Sequence, residues 1–196
     1  MKSINTKELT GKALYPLMTS AVVPRPIAWV STLNPEGMVN LAPFSYFNLV
    51  SSRPPVLMIS VGERDGIAKD TALNIFDRKE FVVHIVTEST LEAMNLTAKD
   101  VGREESEVAL ASLTAVKSTQ IKTPGILESP IRLECVYDQH VIYPHSQIIF
   151  GRIVQMHIDE AVITDDVVDA EKLKPVGRLG KQNYTTLGRV ITLPRP

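Results

Sequence analysis

The sequence has few of the features that mark secreted or membrane proteins. Cysteine occurs once, at Cys135, so the 196 residues cannot form an internal disulfide, and the alternating apolar pattern around it indicates a small buried side chain. The amino-terminal residues lack the apolar segment of a secretory signal, and no run approaches the ~18 apolar residues that span a bilayer. We therefore expect a cytoplasmic protein with no membrane contact.

An excess of either charge is also missing. The chain has 21 Lys and Arg against 22 Asp and Glu, which leaves no basic surplus to neutralise a nucleic-acid backbone. Nucleic acid is therefore not an expected partner. The hydrophobic fraction of 44% is that of a globular protein, and the prolines are scattered rather than gathered in a linker. Barrels of ~200–250 residues commonly form one unit, so we expect one domain over residues 1–196.

The motifs of several common sites are absent. There is no G-x-G-x-x-G, G-x-x-x-x-G-K-[ST], C-x-x-C or H-E-x-x-H, which excludes the usual dinucleotide, P-loop and zinc signatures. The four histidines lack zinc-site spacing, so we expect no metal. His84 is predicted to pack in a strand, and His140 and His157 to lie on exposed strand faces. His145, in a predicted loop, is the one histidine expected near a ligand.

What the sequence does contain is a series of strand patterns. Residues 26–33 favour a strand, and the turn at residues 34–37 predicts a hairpin whose second arm runs from residue 38 to 48. The apolar run at residues 56–61 predicts a strand covered on both faces and ended by Gly62. Residues 81–86 and 147–158 are also strand-like, and residues 131–141 alternate with the period of a strand that has one wet face.

Two helices are predicted between these strands. One begins with Asp70 or Thr71 as its N-cap, and the other begins with a capping box formed by Ser89 and Glu92. The part of the chain that begins at Gly177 resembles an extended arm. Several strands with short helices between them predict a mainly β (α+β) fold, an antiparallel barrel with helical inserts, and argue against an alternating βα sheet.

Two segments have the chemistry of a ligand site. Residues 40–52 combine aromatic and apolar side chains with Asn and Ser, which suits a flat, mostly apolar ring with polar edges. A strand edge with a turn explains the aromatics but not the density of Asn and Ser. Arg64, Lys69, Asp70 and Thr71 surround the start of the first helix, where backbone N–H groups attract a phosphate. Ordinary helix capping is the alternative explanation for these residues.

Taken together, five segments resemble the flavin reductase-like domain family. They are residues 24–32 (PRPIAWVST), the turn ending at Gly37, residues 40–48, residues 51–55 (SSRPP) and residues 69–75 (KDTALNI). The similarity continues more loosely through residues 150–153 and 177–180 to Tyr184, so it covers most of the chain. The resemblance implies a six-stranded split barrel that forms a homodimer and holds FMN near the subunit interface; FMN is favoured over FAD, which shares its ring and first phosphate.

The resemblance also assigns binding residues by position. Around the phosphate it places Ser31, Arg64, Lys69 and Thr71, and Asp70, between the last two, is a further expected cofactor-binding residue. Around the isoalloxazine ring it places Asn40, Ala42, Pro43, Ser45, Phe47 and Asn48, with Arg178 and Tyr184 from the arm lining the same cavity.

One segment departs from the family pattern. Many reductases of the family have Gly-Asp-His shortly before the strand that contains the equivalent of Gly151, and that histidine serves nicotinamide chemistry. Here residues 143–146 read Tyr-Pro-His-Ser, with the histidine displaced by one position. His145 is therefore a speculative catalytic residue.

Three functions follow from these patterns. The first is an NAD(P)H-dependent flavin oxidoreductase, in which NADH or NADPH reduces FMN and the reduced flavin serves a partner monooxygenase or redox protein. The second, motivated by the displaced histidine, is an FMN-binding electron carrier or flavin store without its own nicotinamide site. The third is an interaction domain on the same barrel that binds no flavin.

Overall fold

The computed structural model describes residues 1–64, 66–102 and 104–194, and all but the side chain of Arg64 within them. The helices are α1 (Gly11–Ala21), α2 (Asp70–Arg78), α3 (Leu91–Leu96), α4 (Glu107–Leu110) and α5 (Ala170–Leu173). The long strands are β1 (Ala28–Leu33), β2 (Val39–Phe44), β3 (Phe47–Ser52), β4 (Pro55–Arg64), β6 (Glu80–Ile85), β9 (Ile131–Tyr143) and β10 (Ser146–Ile158). The two-residue strands are β5 (Ile67–Ala68), β7 (Ala115–Val116), β8 (Gly125–Ile126), β11 (Ile163–Thr164), β12 (Val167–Val168), β13 (Gly177–Arg178) and β14 (Tyr184–Thr185).

The long strands form one antiparallel sheet in the order β2-β1-β6-β9-β10-β4-β3, with β5 paired to the end of β4. This arrangement confirms the predicted mainly antiparallel fold with short helical inserts. Among the described residues the path has seven long strands rather than six, and it does not close, because β2 and β3 are its two edges. No helix in the described ranges has both the length and the apolar character needed to cross a bilayer.

Two apolar clusters cover the two faces of the sheet. The larger one gathers side chains from all seven long strands and is closed by Ala72 and Ile75 of α2. The smaller one includes Trp29, Leu41 and Met94. Strand β1 separates the clusters, since Val30 points into the first and Trp29 into the second, and both are fully buried. The predictions that Cys135 and His84 are buried are confirmed.

Gly151 lies where β10 packs tightly against the core residues Phe81 and Cys135. The pairing of β10 with β9 shifts register between Phe150 and Gly151, and a Cβ at Gly151 would collide with the Phe81 ring and meet Cys135 Cβ at 3.2 Å. A glycine is therefore required here by space rather than by its backbone angles.

Five local predictions are corrected by the structure. The second hairpin arm is two strands, because the chain bends at Ser45 and Tyr46 and its pairing changes from β1 to β4. Strand β4 continues past Gly62, since Glu63 pairs with β5. The N-cap of α2 is Lys69, one residue before the predicted position.

The capping box before α3 is formed by Thr87 and Thr90 rather than by Ser89 and Glu92. His157, predicted to be exposed, has a side chain only 25% exposed and lies 2.6 Å from Glu134 Oε1. This carboxylate also accepts hydrogen bonds from the backbone N–H groups of Thr119 and Gln120, each at 2.7 Å. Burial raises the pKa of Glu134, but these donors outweigh burial and hold it below the usual value.

Candidate functional site

The β1–β2 hairpin places the first predicted segment at an edge of the sheet. Residues Asn40, Ala42 and Pro43 lie on β2, which has β1 on one side and no strand on the other among the described residues. Pro43 suits an edge strand, because it has no N–H to donate. Towards the open side, the Leu41 N–H donates to Glu107 Oε2 at 3.0 Å. Helix α4 thus covers part of the edge and leaves the rest facing a cavity.

The start of α2 lies beside this edge. Lys69 is the N-cap in an extended conformation (φ −67, ψ 150), and its side chain makes no capping hydrogen bond. Lysine has no acceptor atom, so the first backbone N–H groups of the helix cannot be satisfied by the N-cap side chain. The Lys69 ammonium lies 5.7 Å from the centre of the Phe44 ring, at the end of β2. A cation and a helix N-terminus therefore face the same space.

A network of neutral side chains joins the two segments. Asn40 Nδ2 donates to Thr71 Oγ1 at 3.1 Å and to Thr32 Oγ1 at 3.3 Å, and Asn74 Nδ2 donates to Thr32 at 3.0 Å. Both amide protons of Asn40 therefore point toward the helix and β1, which fixes the orientation of its Oδ1. Thr71 accepts one hydrogen bond and retains its hydroxyl proton for donation.

These residues line a cavity of about 390 Å³, which we call the helix-entrance cavity. Six of the predicted binding residues are among those that line it: Asn40, Ala42, Pro43, Lys69, Asp70 and Thr71. Residues 97–101 form the opposite wall. The two predicted segments, which are separated by about thirty positions in the sequence, thus share one cavity.

Glu107 is the buried acidic group among the three carboxylates, Asp70, Asp100 and Glu107, that line the helix-entrance cavity. Its residue is 7% exposed, and its carboxylate accepts the Leu41 N–H. Burial raises the pKa of Glu107 above its ordinary value, the Leu41 hydrogen bond lowers it, and the negative charge of Asp70 raises it further. Sequence reasoning missed Glu107, since an isolated glutamate in a polar stretch carries no distinguishing pattern.

A second cavity of about 260 Å³, which we call the arm cavity, shares Pro43 and Ala98 with the first. It contains the remaining predicted residues from the carboxyl-terminal arm, Arg178 and Tyr184, together with Ser45. Its described lining has three cationic side chains, those of Arg25, Arg178 and Lys181, and no carboxylate. The arm cavity is therefore positively charged although the chain as a whole is nearly neutral.

The arm is fixed against the start of the sheet by backbone contacts. Arg25 and Arg178 exchange backbone hydrogen bonds of 3.0 and 2.8 Å. A Cβ at Gly177 would meet Pro24 Cβ at 2.8 Å, and a Cβ at Gly180 would meet Ser20 Cβ at 2.9 Å. These close approaches need glycine, and they hold the arm where Arg178 and Tyr184 face the cavity.

The other predicted residues lie elsewhere. Ser31 is fully buried and donates to the Pro124 carbonyl at 2.7 Å, and Phe47 belongs to the larger core cluster. Asn48 is exposed on β3, where its Oδ1 accepts the Leu49 N–H. The side chain of Arg64 lies outside the described residues.

His145 occupies the turn between β9 and β10, with a left-handed backbone (φ 66) and a side chain 88% exposed. Its Nδ1 lies 3.7 Å from Glu63 Oε2. It is not among the residues that line either of the two cavities.

Comparison with known proteins identifies the family. The model of the flavin reductase like domain matches residues 18–173, which is most of the chain. The chain belongs to the flavin reductase-like family. The match includes β1, β2 and the start of α2, and it ends before the arm that carries Arg178 and Tyr184.

Solved structures of this family agree with the fold over nearly the whole chain. Nitrilotriacetate monooxygenase component B from Bacillus cereus is 41% identical, with a TM-score of 0.96 and 98% of each chain covered. The 2-nitrobenzoate 2-nitroreductase NbaA of Pseudomonas fluorescens is 35% identical, with a TM-score of 0.91 and coverage of 100% of this chain and 96% of the other. A split-barrel protein from Shewanella frigidimarina, 21% identical, has a TM-score of 0.86 with 97% and 96% covered and confirms the fold class.

Proposed function

We propose that this chain is an FMN-binding oxidoreductase that uses NADH or NADPH to reduce its flavin. The observation that carries the proposal is the helix-entrance cavity, which brings Asn40, Ala42 and Pro43 together with Lys69 and Thr71. Membership of the flavin reductase-like family supports the same conclusion. The helix-entrance cavity has a volume of about 390 Å³, which lies within the ~300–1,000 Å³ typical of small-molecule sites.

The donor groups of the cavity fit a flavin tail. A phosphate monoester needs a cation and several hydrogen-bond donors, and these are supplied by the Lys69 ammonium, the Thr71 hydroxyl and the first N–H groups of α2. We propose that these groups hold the phosphate, with Arg64 as a further contributor. Ser31 would contribute to this region only as part of the backbone of β1, because its hydroxyl donates to the Pro124 carbonyl.

The groups at the junction of the two cavities fit a planar ring. Pro43 and Ala42 offer a short apolar surface, and Ser45 and the fixed amide of Asn40 offer polar atoms on either side of it. We propose that the isoalloxazine ring lies against Pro43. Bound flavin would accept hydride from the nicotinamide, and direct hydride transfer needs no acid or base from the protein. The proposal therefore does not depend on His145.

A homodimer and a redox partner complete the proposal. Strand β3 pairs with β4 on one side and has no partner strand on the other among the described residues. It exposes Leu49 (66%) and Val50 (52%), as a subunit contact would. The name of the Bacillus cereus relative, a monooxygenase component, supports a partner monooxygenase that takes up the reduced flavin. We also propose that residues 1–196 form a single domain, because the arm returns to pair with Arg25 at the start of the sheet.

An FMN-binding electron carrier is the second candidate. It is favoured by the position of His145, which is exposed in the turn between β9 and β10 and lies outside both cavities. Tightly held FMN that is reduced by a partner protein and not by NADH or NADPH would support it. Rapid turnover of free FMN with either nucleotide would exclude it.

The decisive experiment compares FMN with riboflavin, which lacks the phosphate. Lys69→Ala should weaken FMN binding about tenfold, because a charge-assisted hydrogen bond to the phosphate is lost. It should leave riboflavin binding nearly unchanged, because Thr71 and the Asn40 amide that it orients are left in place. Quenching of flavin fluorescence measures both affinities. Lys117→Ala, at an exposed lysine, is the charge control. Equal losses for the two flavins would contradict the phosphate site, and a protein that binds neither flavin would overturn the proposal.

A further inference from the structure

The arm cavity has a composition that the proposed function leaves unexplained. A flavin phosphate at the entrance of α2 needs the cations of the other cavity, yet Arg25, Arg178 and Lys181 surround this one. Two tyrosines, Tyr15 and Tyr184, line it as well. Cations with no carboxylate among the described lining residues select for an anion, and phenol rings select for a flat, apolar body.

One cation of the arm cavity, Arg178, is held by contacts with its neighbours. The Arg178 guanidinium carbon lies 4.4 Å from the centre of the Tyr184 ring, its Nη2 donates to the Lys181 carbonyl at 2.5 Å, and the Tyr184 hydroxyl donates to Asn95 Oδ1 at 3.0 Å. A guanidinium has five N–H donors, so one hydrogen bond to a carbonyl leaves a fork able to take a carboxylate in bidentate fashion. The stacked arrangement therefore presents Arg178 with little entropy left to lose on binding.

Arg25 contributes charge rather than contacts. It is 8% exposed, and its guanidinium donates to the carbonyls of Thr19, Val22 and Leu179. Its Nε lies 3.4 Å from Ser45 Oγ, which lines the cavity. Because the acceptors of Arg25 are neutral carbonyls, they do not offset its charge, so Arg25 raises the positive potential of the cavity without competing for the ligand.

Size restricts the ligand further. The volume of about 260 Å³ lies below the ~300 Å³ at which sites for drug-sized ligands begin, so it suits one aromatic ring with its substituents. We propose that the arm cavity binds a single-ring aromatic carboxylate, with the ring between the tyrosines and the carboxylate on Arg178. This inference rests on the proposed function in one respect only, the position of a flavin ring on the other side of Pro43. An aromatic carboxylate bound beside that flavin would be a substrate.

The test is calorimetric titration of benzoate, with benzamide as the uncharged analogue of the same shape, into the protein with and without FMN. Benzoate should bind at least about tenfold more tightly than benzamide, and Arg178→Gln should reduce benzoate binding to the level of benzamide. Arg53→Gln, an exposed arginine at the far end of β3 from Ser45, should leave benzoate binding unchanged. Lys181→Glu should also weaken benzoate, and it provides a second test if Arg178→Gln does not fold.

Equal affinity for benzoate and benzamide, or an unchanged affinity for benzoate in a folded Arg178→Gln protein, would overturn the inference. AMP that binds more tightly than benzoate and loses affinity in Arg178→Gln would also overturn it, in favour of a nucleotide site. Failure of the proposed function gives a different result, since the protein would then bind benzoate but would not quench FMN fluorescence.

Discussion

Acidification should destabilise this protein through one buried imidazole. His84 is completely buried between two backbone groups: its Nδ1 donates to the Trp29 carbonyl at 2.7 Å, and its Nε2 accepts the Ile126 N–H at 2.8 Å. Burial lowers the pKa of His84 from 6.5 to about 4; the Trp29 carbonyl opposes this, and the positive charge of Arg132 adds to it. Protonation would place a second N–H against the Ile126 donor.

The size of this loss of stability follows from the pKa values of His84 in the unfolded and the folded chain. The unfolded chain takes up the proton near pH 6.5 and the folded chain near pH 4, so this contribution to stability is complete above pH 6.5 and is lost as the pH falls toward 4. The full difference is worth about 3 kcal/mol, of which about 2 kcal/mol is lost between pH 7 and pH 5. That loss is a large fraction of the ~5–15 kcal/mol that stabilises a typical domain.

Urea unfolding at pH 7, 6 and 5 measures this loss, with circular dichroism and the fluorescence of the single tryptophan as probes. His84→Gln should be less stable than the wild-type protein at pH 7, and the gap should narrow by about 2 kcal/mol at pH 5, because glutamine takes up no proton. His140→Gln, at an exposed histidine, should keep the wild-type slope. A constant gap would refute the reasoning, as would an NMR titration that places the pKa of His84 near 6.5.

Three further outcomes follow from buried groups. Glu107→Gln should gain stability relative to the wild-type protein as the pH rises above 4.5, because an acid whose pKa is raised on folding loses stability between its ordinary pKa and the higher folded one. A difference in urea stability that does not change with pH would contradict this. Gly151→Ala should lower the free energy of unfolding by about 1–3 kcal/mol, because the new Cβ collides with Phe81. In the control Gly62→Ala the new Cβ has its nearest neighbour at 3.8 Å, so the loss should be less than about 0.5 kcal/mol. Similar shifts in melting temperature for both variants would count against the close approach at Gly151. Burial raises the pKa of the Cys135 thiol, so a thiol reagent should label it only in urea, and rapid labelling of the native protein would disprove its inaccessibility.

Much of the sheet could be predicted because its signals are local. The Asn34 to Gly37 turn between two β-favouring segments specifies a hairpin within a few residues, and the apolar run at residues 56–61 specifies a buried strand. The bend at Ser45 and Tyr46 carries no glycine or proline, so local signals gave no warning that the chain changes strand partners there.

The errors around β9 arise from long-range contacts. Alternation placed Glu134 on a wet strand face, but the loop at residues 118–123 covers that face and buries the carboxylate completely. His157 was misplaced for the same reason, since it bonds to Glu134. Which loop covers which face is decided by packing between distant segments, and periodicity within one strand does not contain that information.

In the candidate site too, local chemistry could be predicted from the sequence and long-range packing could not. The chemistry of residues 40–48 and 69–71 was visible in the sequence, and the structure places parts of both in one cavity. The cationic arm cavity was only partly visible: Arg178 and Tyr184 were anticipated from the family pattern, but Arg25, Lys181 and Tyr15 were not. Lys181 reaches the cavity because the arm folds back over α1, which carries Tyr15, and this return depends on close packing at Gly177 and Gly180.

The guanidinium of Arg25 joins two stretches of the chain that are far apart in sequence. It ties the carbonyls of Thr19 and Val22, at the end of α1, to that of Leu179 in the arm. A chain cut after Leu173 would lose the Leu179 carbonyl as an acceptor for Arg25. It would also lose the part of the arm that packs against the end of α1. The amino- and carboxyl-terminal segments should therefore come loose together, and proteolysis of one should expose the other.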